Sequence, residues 1–274
     1  MKFGFVLPYG DARMAADAAV LAEQAGWDGF FVWEPVWGVD AWVSLTAAAM
    51  RTTRIRLGTL LSPISRMRPW KLASETATLD NLSGGRVILS VGLGAPDTGF
   101  HEFAEVTDRK TRAELLDEGL EIITGLWQGQ PFNFSGKHYQ VKETTFYPPS
   151  PPVQQPRIPI WVVGAFPFEK SMKRALRYDG LLPMKMDPST REIQEITQDD
   201  LREIVRYIKN NRPASENFDI IWEGKTPGSD QLTAGGMVRP WAEAGATWWI
   251  EALWDEPNPD FIKERLGQGP PRFD

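Results

Sequence analysis

The sequence predicts an α/β protein built as a (β/α)8 barrel, and three observations predict it. Eight short, β-rich apolar runs alternate with eight stretches of helical period. Together they fill about 250 residues, the usual size of such a barrel. Each run reaches the next through a helix, which within one sheet means parallel strands and right-handed crossovers. An open doubly wound sheet uses the same alternation, and no internal repeat decides between the two.

Taken in order, Lys2–Leu7 is the first strand. Ala12–Ala25 is a helix with Met14, Ala18, Leu21 and Ala25 near one face and Gly26 at its end. Gly29–Trp33 is strand two, and Trp42–Met50 is its helix. Ile55–Leu61 is strand three, expected to stop at Ser62-Pro63 because proline removes a ladder donor. Pro69 suits the first turn of the next helix and Ser83-Gly84-Gly85 its end, so that helix covers Pro69–Leu82. Val87–Val91 is strand four. Arg109–Trp127 is strongly amphipathic, with Leu116, Leu120, Ile123 and Trp127 at helical spacing. Pro159–Val163 and Asp179–Pro183 are strands five and six, separated by a short basic helix, Glu169–Tyr178. Gln198–Asn210 is a helix carrying Leu201, Ile204, Val205 and Ile208. Strands Phe218–Trp222 and Thr247–Ile250 bracket the helix Thr233–Ala244, and Asp260–Leu266 is the last helix.

Strand direction locates the chemistry. Segments that follow strands share the carboxyl face, where barrel active sites are built, and segments that follow helices lie opposite. Met184–Thr197 is long, charged and without a period, so it reads as a mobile lid. The insertion Pro131–Arg157 follows a helix and is expected at the barrel bottom or against a partner. Its first half reads as a hairpin centred on Ser135-Gly136, its second as an extended proline-rich stretch.

With 274 residues, 42% hydrophobic and 24% charged, the chain falls among soluble globular proteins and reads as one domain over 1–274. Two compact domains are the alternative. A net charge of −6 excludes general nucleic-acid binding, which needs a basic surface. The absence of cysteine removes disulfides and thiolate chemistry. Only His101 and His138 are available for imidazole chemistry, which argues against a metal site of the usual histidine-rich kind. No apolar run reaches membrane-spanning length, and Met1–Phe5 enters a strand without the pattern of a signal peptide. A cytoplasmic protein without a membrane partner is expected.

On the rim, Glu34 follows strand two in Trp33-Glu34-Pro35. A carboxyl there can give or take a proton, and Trp33, Trp37 and Trp42 can raise its pKa by excluding water; its plainer role is an ordinary salt bridge. His101, the one rim histidine, is the second candidate acid or base, with simple exposure as the alternative. Gly92, Gly94 and Gly99 either let backbone approach a flat ring or merely turn the chain. Gly164-Ala165 precede a helix bearing Lys170, Lys173, Arg174 and Arg177. Amides at a helix start bind phosphate, and a solvated basic face is the alternative. Trp33, Trp37, Trp70, Trp222 and Trp254 can wall a dry pocket. Trp248 and Trp249 must point to opposite sides of strand eight. Glu223 and Glu251, at the ends of strands seven and eight, are placed to orient a substrate.

Several separated motifs occur in order: Leu57-Gly58-Thr59 with Pro63, Arg66 and Pro69; Thr78-Leu79-Asp80 with Leu82-Ser83-Gly84-Gly85-Arg86; then Gly92-Leu93-Gly94. In these the chain resembles the luciferase-like flavin- and deazaflavin-dependent oxidoreductases over most of its length. The resemblance favours the barrel and implies coenzyme F420 or FMN with a small organic substrate. With the deazaflavin the reaction is hydride transfer; with FMN it is monooxygenation, the flavin being reduced by a separate flavin reductase. Cofactor contacts are expected at Thr59, Leu60, Leu61, Gly92, Gly94 and Gly164, and at Ala165, which stands where the family has the second glycine of a phosphate-holding pair. Relatives often carry aspartate-histidine where this chain has Glu34-Pro35, so the carboxylate is kept and the imidazole lost. A non-prolyl cis peptide is expected at Thr59-Leu60 or Leu60-Leu61. Arg66, Arg68 and Lys71 can draw an anionic cofactor tail. A homodimer is expected. The other readings are a cofactor-independent hydrolase or isomerase using Glu34 and Glu251, and a non-catalytic cofactor-binding paralogue.

Overall fold

Strands buried on both faces are near-continuous apolar runs. In the computed structural model, which describes residues 1–145, 150–213, 217–256 and 258–272, those runs close into a ring. The strands are β1 (Lys2–Leu7), β2 (Gly29–Val32), β3 (Arg56–Pro63), β4 (Val87–Gly92), β5 (Phe132–Ser135), β6 (Gln140–Thr144), β7 (Ile160–Phe166), β8 (Gly180–Met186), β9 (Ile193–Gln194), β10 (Asp219–Gly224) and β11 (Trp248–Ala252). Eight of them pair in parallel in the order β1-β2-β3-β4-β7-β8-β10-β11, and β11 returns to β1. Closure settles the architecture as a (β/α)8 barrel rather than an open sheet.

The helices are α1 (Ala12–Ala25), α2 (Ala41–Ala49), α3 (Pro69–Ser83), α4 (Arg109–Gln128), α5 (Glu169–Ala175), α6 (Gln198–Asn211), α7 (Gln231–Ala244) and α8 (Pro259–Gly267). Side chains of Asp11, Asp40, Asp108, Thr197, Asp230 and Asn258 accept from first-turn amides, satisfying donors that a helix start leaves unpaired. Among the described residues no helix is long and apolar enough to cross a membrane.

Two cores result. One lies between strands and helices and includes Phe5, Leu45, Leu57, Leu89 and Leu120. The other fills the barrel with Val6, Phe31, Leu60, Ile88, Trp161, Leu182, Ile221, Trp248 and Ile250. Its amino end is closed by three rings: Trp161 and Trp248 stand 5.1 Å apart, and Phe31 lies 5.4 Å from the first and 6.2 Å from the second. Trp248 is the inward member of its pair, and Trp249 faces the helices.

Two motif residues have structural work. A Cβ on Gly58 would strike the backbone carbonyl oxygen of Ile88, so only glycine lets β3 and β4 approach here. Arg86 is 7% exposed and donates to the carbonyls of Ala49, Thr52, Ile55 and Ser83 and to the Thr52 hydroxyl at 2.8–3.0 Å. It thereby satisfies acceptors that the end of α2 and the turn beyond it leave without partners.

The structure differs from the sequence expectation in four places. β3 does not stop before Ser62 but runs through Pro63, with a register shift between Thr59 and Ser62; a bulge at the strand end tolerates the missing donor. β7 continues to Phe166, so Gly164 and Ala165 lie within the strand, paired with Pro183 and Met184. Met184–Thr197 is not without regular structure: Lys185 and Met186 pair antiparallel with Gln194 and Ile193, the turn between being held by Asp187 accepting from the amides of Ser189 and Thr190. The hairpin β5–β6 turns at Gly136–Tyr139, because the Glu118 carboxylate of α4 accepts from the amides of Lys137, His138 and Tyr139. That hairpin packs on the flank of α4, with Tyr139 edge-on to Trp70. The returning chain does reach the barrel bottom, where Gln154 bonds Asp80 and the Val87 carbonyl. Part of the proline-rich stretch, 146–149, lies outside the described residues.

Candidate active site

Strand alternation decides which side chains face the barrel mouth. In β4, Ile88 is interior, so Ser90 and Gly92 face inward above it. Ser90 is fully buried, and its hydroxyl has no hydrogen-bond partner among the described residues. A Cβ on Gly92 would lie 3.0 Å from Val163 and 3.1 Å from Leu61, so the glycine lets Leu61 settle across the mouth against Val163. Leu60 belongs to the interior cluster, and the Leu60-Leu61 peptide is cis. Beside this floor, Gly94 combines a φ of +74° with Phe100 and Pro63 at 2.8 and 2.9 Å from any Cβ, so both backbone and space require glycine.

Glu34 emerges next to β3. Its Oε2 accepts from the Ser62 hydroxyl at 2.6 Å, and Ser62 Oγ is 2.9 Å from Thr59 Oγ1. Arg66 donates to the carbonyls of Glu34 and Pro35 at 2.7 and 2.9 Å, fixing the loop. Burial pushes the Glu34 carboxyl pKa above its ordinary value; the Ser62 hydrogen bond and the Arg66 charge oppose this without cancelling it. Thr59, Ser62 and Glu34 thus form a connected polar row at the carboxyl end of β2 and β3.

Across the mouth, Ile221 of β10 faces inward, so Glu223 does too. Solvent reaches Glu223, yet the protein crowding its carboxyl raises its pKa, opposed by a 2.9 Å bond from the Trp254 indole. Trp222 points the other way and stacks on Trp241 of α7 at 3.9 Å. Glu251 also points outward. It is fully buried, accepts from the Thr226 amide and hydroxyl and the Trp249 indole, and pairs with Arg265 at 3.1 Å. With both oxygens bonded and Arg265 beside them, it is a structural carboxylate, and the hydrolase reading loses one of its two groups.

The remaining predicted residues are dispersed. His101 is exposed on the turn after β4, and its imidazole has no hydrogen-bond partner among the described residues. Gly164 faces the helix layer, where a Cβ would meet Leu181 and the sulfur of Met172. The Ala165 amide donates to Ser171 Oγ at 2.9 Å. α5 has seven residues, and its cations are paired: Lys173 with Glu169, Arg174 and Arg177 with Asp117. Lys71 pairs with Glu75, and Arg68 lies over Trp70.

Sequence reasoning missed the cations that are not so neutralised. Arg109 is half-buried and touches the Met186 sulfur at 2.9 Å; burial and the nearby Arg191 lower its pKa. Arg112, 6% exposed, holds the carbonyls of Leu93 and Gly94 at 3.0 and 2.9 Å, and its pKa is lowered by burial and by Arg109. Arg191 lies over the Phe168 ring. Among the described residues none of the three makes an ion pair, and although the Asp108 charge acts on Arg112, they gather positive charge beside the mouth. The signal was present: Arg109-Lys110 puts two cations in the first turn of α4, where the helix dipole disfavours them. An apolar floor, an orphan hydroxyl, a carboxyl of raised pKa and a positive flank fit a flat redox cofactor with an anionic tail.

The model of the family described as luciferase-like monooxygenase matches residues 1–215. A curated F420-dependent glucose-6-phosphate dehydrogenase from Nakamurella multipartita is 32% identical over 182 residues, covering 61% of this chain and 51% of that protein. The chain therefore spans about half the length of that relative. An uncharacterized protein of Mycobacterium tuberculosis is 33% identical over 225 residues, covering 73% of this chain and 78% of its own. The coenzyme F420-dependent tetrahydromethanopterin reductase of Methanopyrus kandleri superposes with a TM-score of 0.76 at 18% identity, over 98% of both chains.

Proposed function

The chain belongs to the luciferase-like monooxygenase family, and from that premise we propose that it is an oxidoreductase using coenzyme F420 at its barrel mouth on a small organic substrate. When bound, the deazaflavin supplies hydride transfer; the protein supplies binding, orientation and electrostatics. The observation that carries the reading is the group Arg109, Arg112 and Arg191, three mutually close cations outside any ion pair among the described residues, on the same face as Glu34. Arg109 and Arg191 hold the phosphate of the cofactor tail, since charge-assisted bonds to phosphate are the strong ones. Leu61, resting on Gly92 and Val163, supports the ring, with the buried Ser90 hydroxyl beneath this floor. Thr59 sits behind this floor and orients Ser62, while Ala165 shapes the wall at β7 and Gly164 lets that strand close on the helix layer.

Glu34 holds the proton. Its raised pKa keeps a larger fraction protonated near neutrality than an exposed glutamate has, and Ser62 fixes the carboxyl direction. His101 is the second proton carrier, available from the turn after β4. FMN is the second reading, favoured by the family's own description as monooxygenases; it shares the ring and the phosphate.

Titration with each cofactor tests both. The expected result is saturable binding of coenzyme F420 that Arg109→Ala weakens by roughly 10- to 100-fold, as loss of a bond to a charged group predicts. Tighter binding of FMN than of F420 would move the chemistry to monooxygenation, and saturation by neither would overturn the proposal.

A further inference from the structure

We propose that Glu223 selects the substrate at the barrel mouth, and that the substrate is an organic cation, a small molecule bearing a protonated amine. This rests on the reading of the carboxyl face as the active face of an oxidoreductase, and it names the class of molecule that face takes.

Register fixes where Glu223 points. In β10 it stands two residues beyond Ile221, which lies in the barrel interior, and its partner on β11 is Ile250, interior as well. The residues on either side face the helices: Trp222 stacks on Trp241, and a Cβ on Gly224 would meet the Trp249 ring. Other charged residues at strand ends turn outward, Lys185 to Asp200 at 2.8 Å and Glu251 to Arg265 at 3.1 Å. Among the described residues Glu223 is thus the one charge that a strand sends into the carboxyl half of the barrel. Its companions there, such as Val6, Leu60, Val163 and Ala252, are apolar, and a single polar group placed in an apolar pocket is what fixes a ligand's identity.

The carboxylate is reachable and incompletely satisfied. Glu223 is exposed; its Oε2 accepts from the Trp254 indole at 2.9 Å, which holds the group in place, and its Oε1 has no hydrogen-bond partner among the described residues. Lys225, two residues on, is taken by Asp255 at 3.0 Å, and no positive charge acts on Glu223. Glu34 differs, because the Arg66 charge acts on it. Glu223 is therefore the uncompensated carboxyl of the mouth. A hydroxyl would fill the free oxygen and leave the charge unbalanced. An ammonium does both through a charge-assisted bond, and an anion is repelled. The indole N–H groups of Trp33 and Trp37 are also without hydrogen bonds among the described residues. They are neutral donors, able to serve an oxygen elsewhere on the guest but not to choose it by charge.

The test is calorimetric titration of the intact protein at pH 8, with and without coenzyme F420, using benzylamine, benzyl alcohol and benzoate, which share a ring and differ in charge. The expected result is saturable binding of benzylamine, roughly 10- to 100-fold tighter than benzyl alcohol, as a bond to a charged group predicts, with benzoate the weakest of the three once F420 is present. Glu223→Gln, nearly the same in shape, should bring benzylamine down to the level of the alcohol while leaving the alcohol and F420 titrations unchanged. Glu223→Asp, which keeps the charge, should retain part of the preference. Equal affinity for amine and alcohol in the wild type, an amine preference that survives in Glu223→Gln, or no amine binding by a protein that binds F420 would each overturn the inference. The expected preference and its loss in Glu223→Gln, in a protein that binds no F420, would uphold the role of the carboxylate and overturn the oxidoreductase reading instead.

Discussion

Glu34→Gln lowers turnover by roughly 10²- to 10⁴-fold while leaving cofactor affinity in place, because general acid–base groups contribute on that scale. The glutamine amide oxygen can still accept from Ser62, and Arg66 can still hold the neighbouring carbonyls; only the titratable proton is gone. The same substitution acts on stability with the opposite sign. The folded Glu34 pKa is raised, burial outweighing the Ser62 bond and the Arg66 charge. A raised carboxyl contributes its full stability below the unfolded value, about 4.3, and loses it as pH climbs through the folded value. Above that window the wild type holds a charge in a crowded place, and the glutamine variant does not. Thermal melts from pH 4 to 8 should therefore show Glu34→Gln melting above the wild type at the alkaline end, the gap narrowing toward pH 4. Undiminished turnover in this variant would assign the proton to another group, His101 first.

Arg86→Met should destabilise the fold by about 3–5 kcal/mol, the range for removing one member of a buried, charge-assisted network. Methionine fills much of the same space, so the loss comes from the acceptors left behind. The carbonyls of Ala49, Thr52, Ile55 and Ser83 each lose a bond at once, and each stranded buried acceptor has its own desolvation cost. Lysine restores the charge but not the planar fork that reaches several acceptors together, so Arg86→Lys should recover only part of the loss. In urea, the midpoint should fall with the slope unchanged, the signature of lost stability rather than altered compactness. An unchanged midpoint would show that water satisfies these carbonyls equally well.

The architecture was legible because its signals are local. Leu116, Leu120 and Ile123 repeat at helical spacing, and all three are buried in the helix–strand core. What escaped the sequence depended on partners far along the chain. The hairpin turn moved by two residues because Glu118 collects three amides. Glu251 looked like a rim carboxylate, but its alternation with inward Trp248 and Ile250 turned it to Arg265. The expectation of a stretch without structure overlooked Asp187-Pro188-Ser189-Thr190, a turn signature that closes β8 onto β9. In the candidate site, the motif glycines and Glu34 could be named in advance. Ser62 and Ser90 could be placed at the carboxyl ends of their strands, but their partners could not, and Arg109 could not be named at all, since its significance lies in what surrounds it.

The ring trio of Phe31, Trp161 and Trp248 gives the barrel a blind end. There is one doorway, and everything that enters by it leaves by it. A guest lying on Leu61 is hemmed in by whatever arrives after it, so traffic follows the rule of a cul-de-sac, with the last to arrive departing first. On the proposed reading, two-ligand turnover in such a chamber is expected to be ordered, the deeper molecule entering before its companion and leaving after that companion's product.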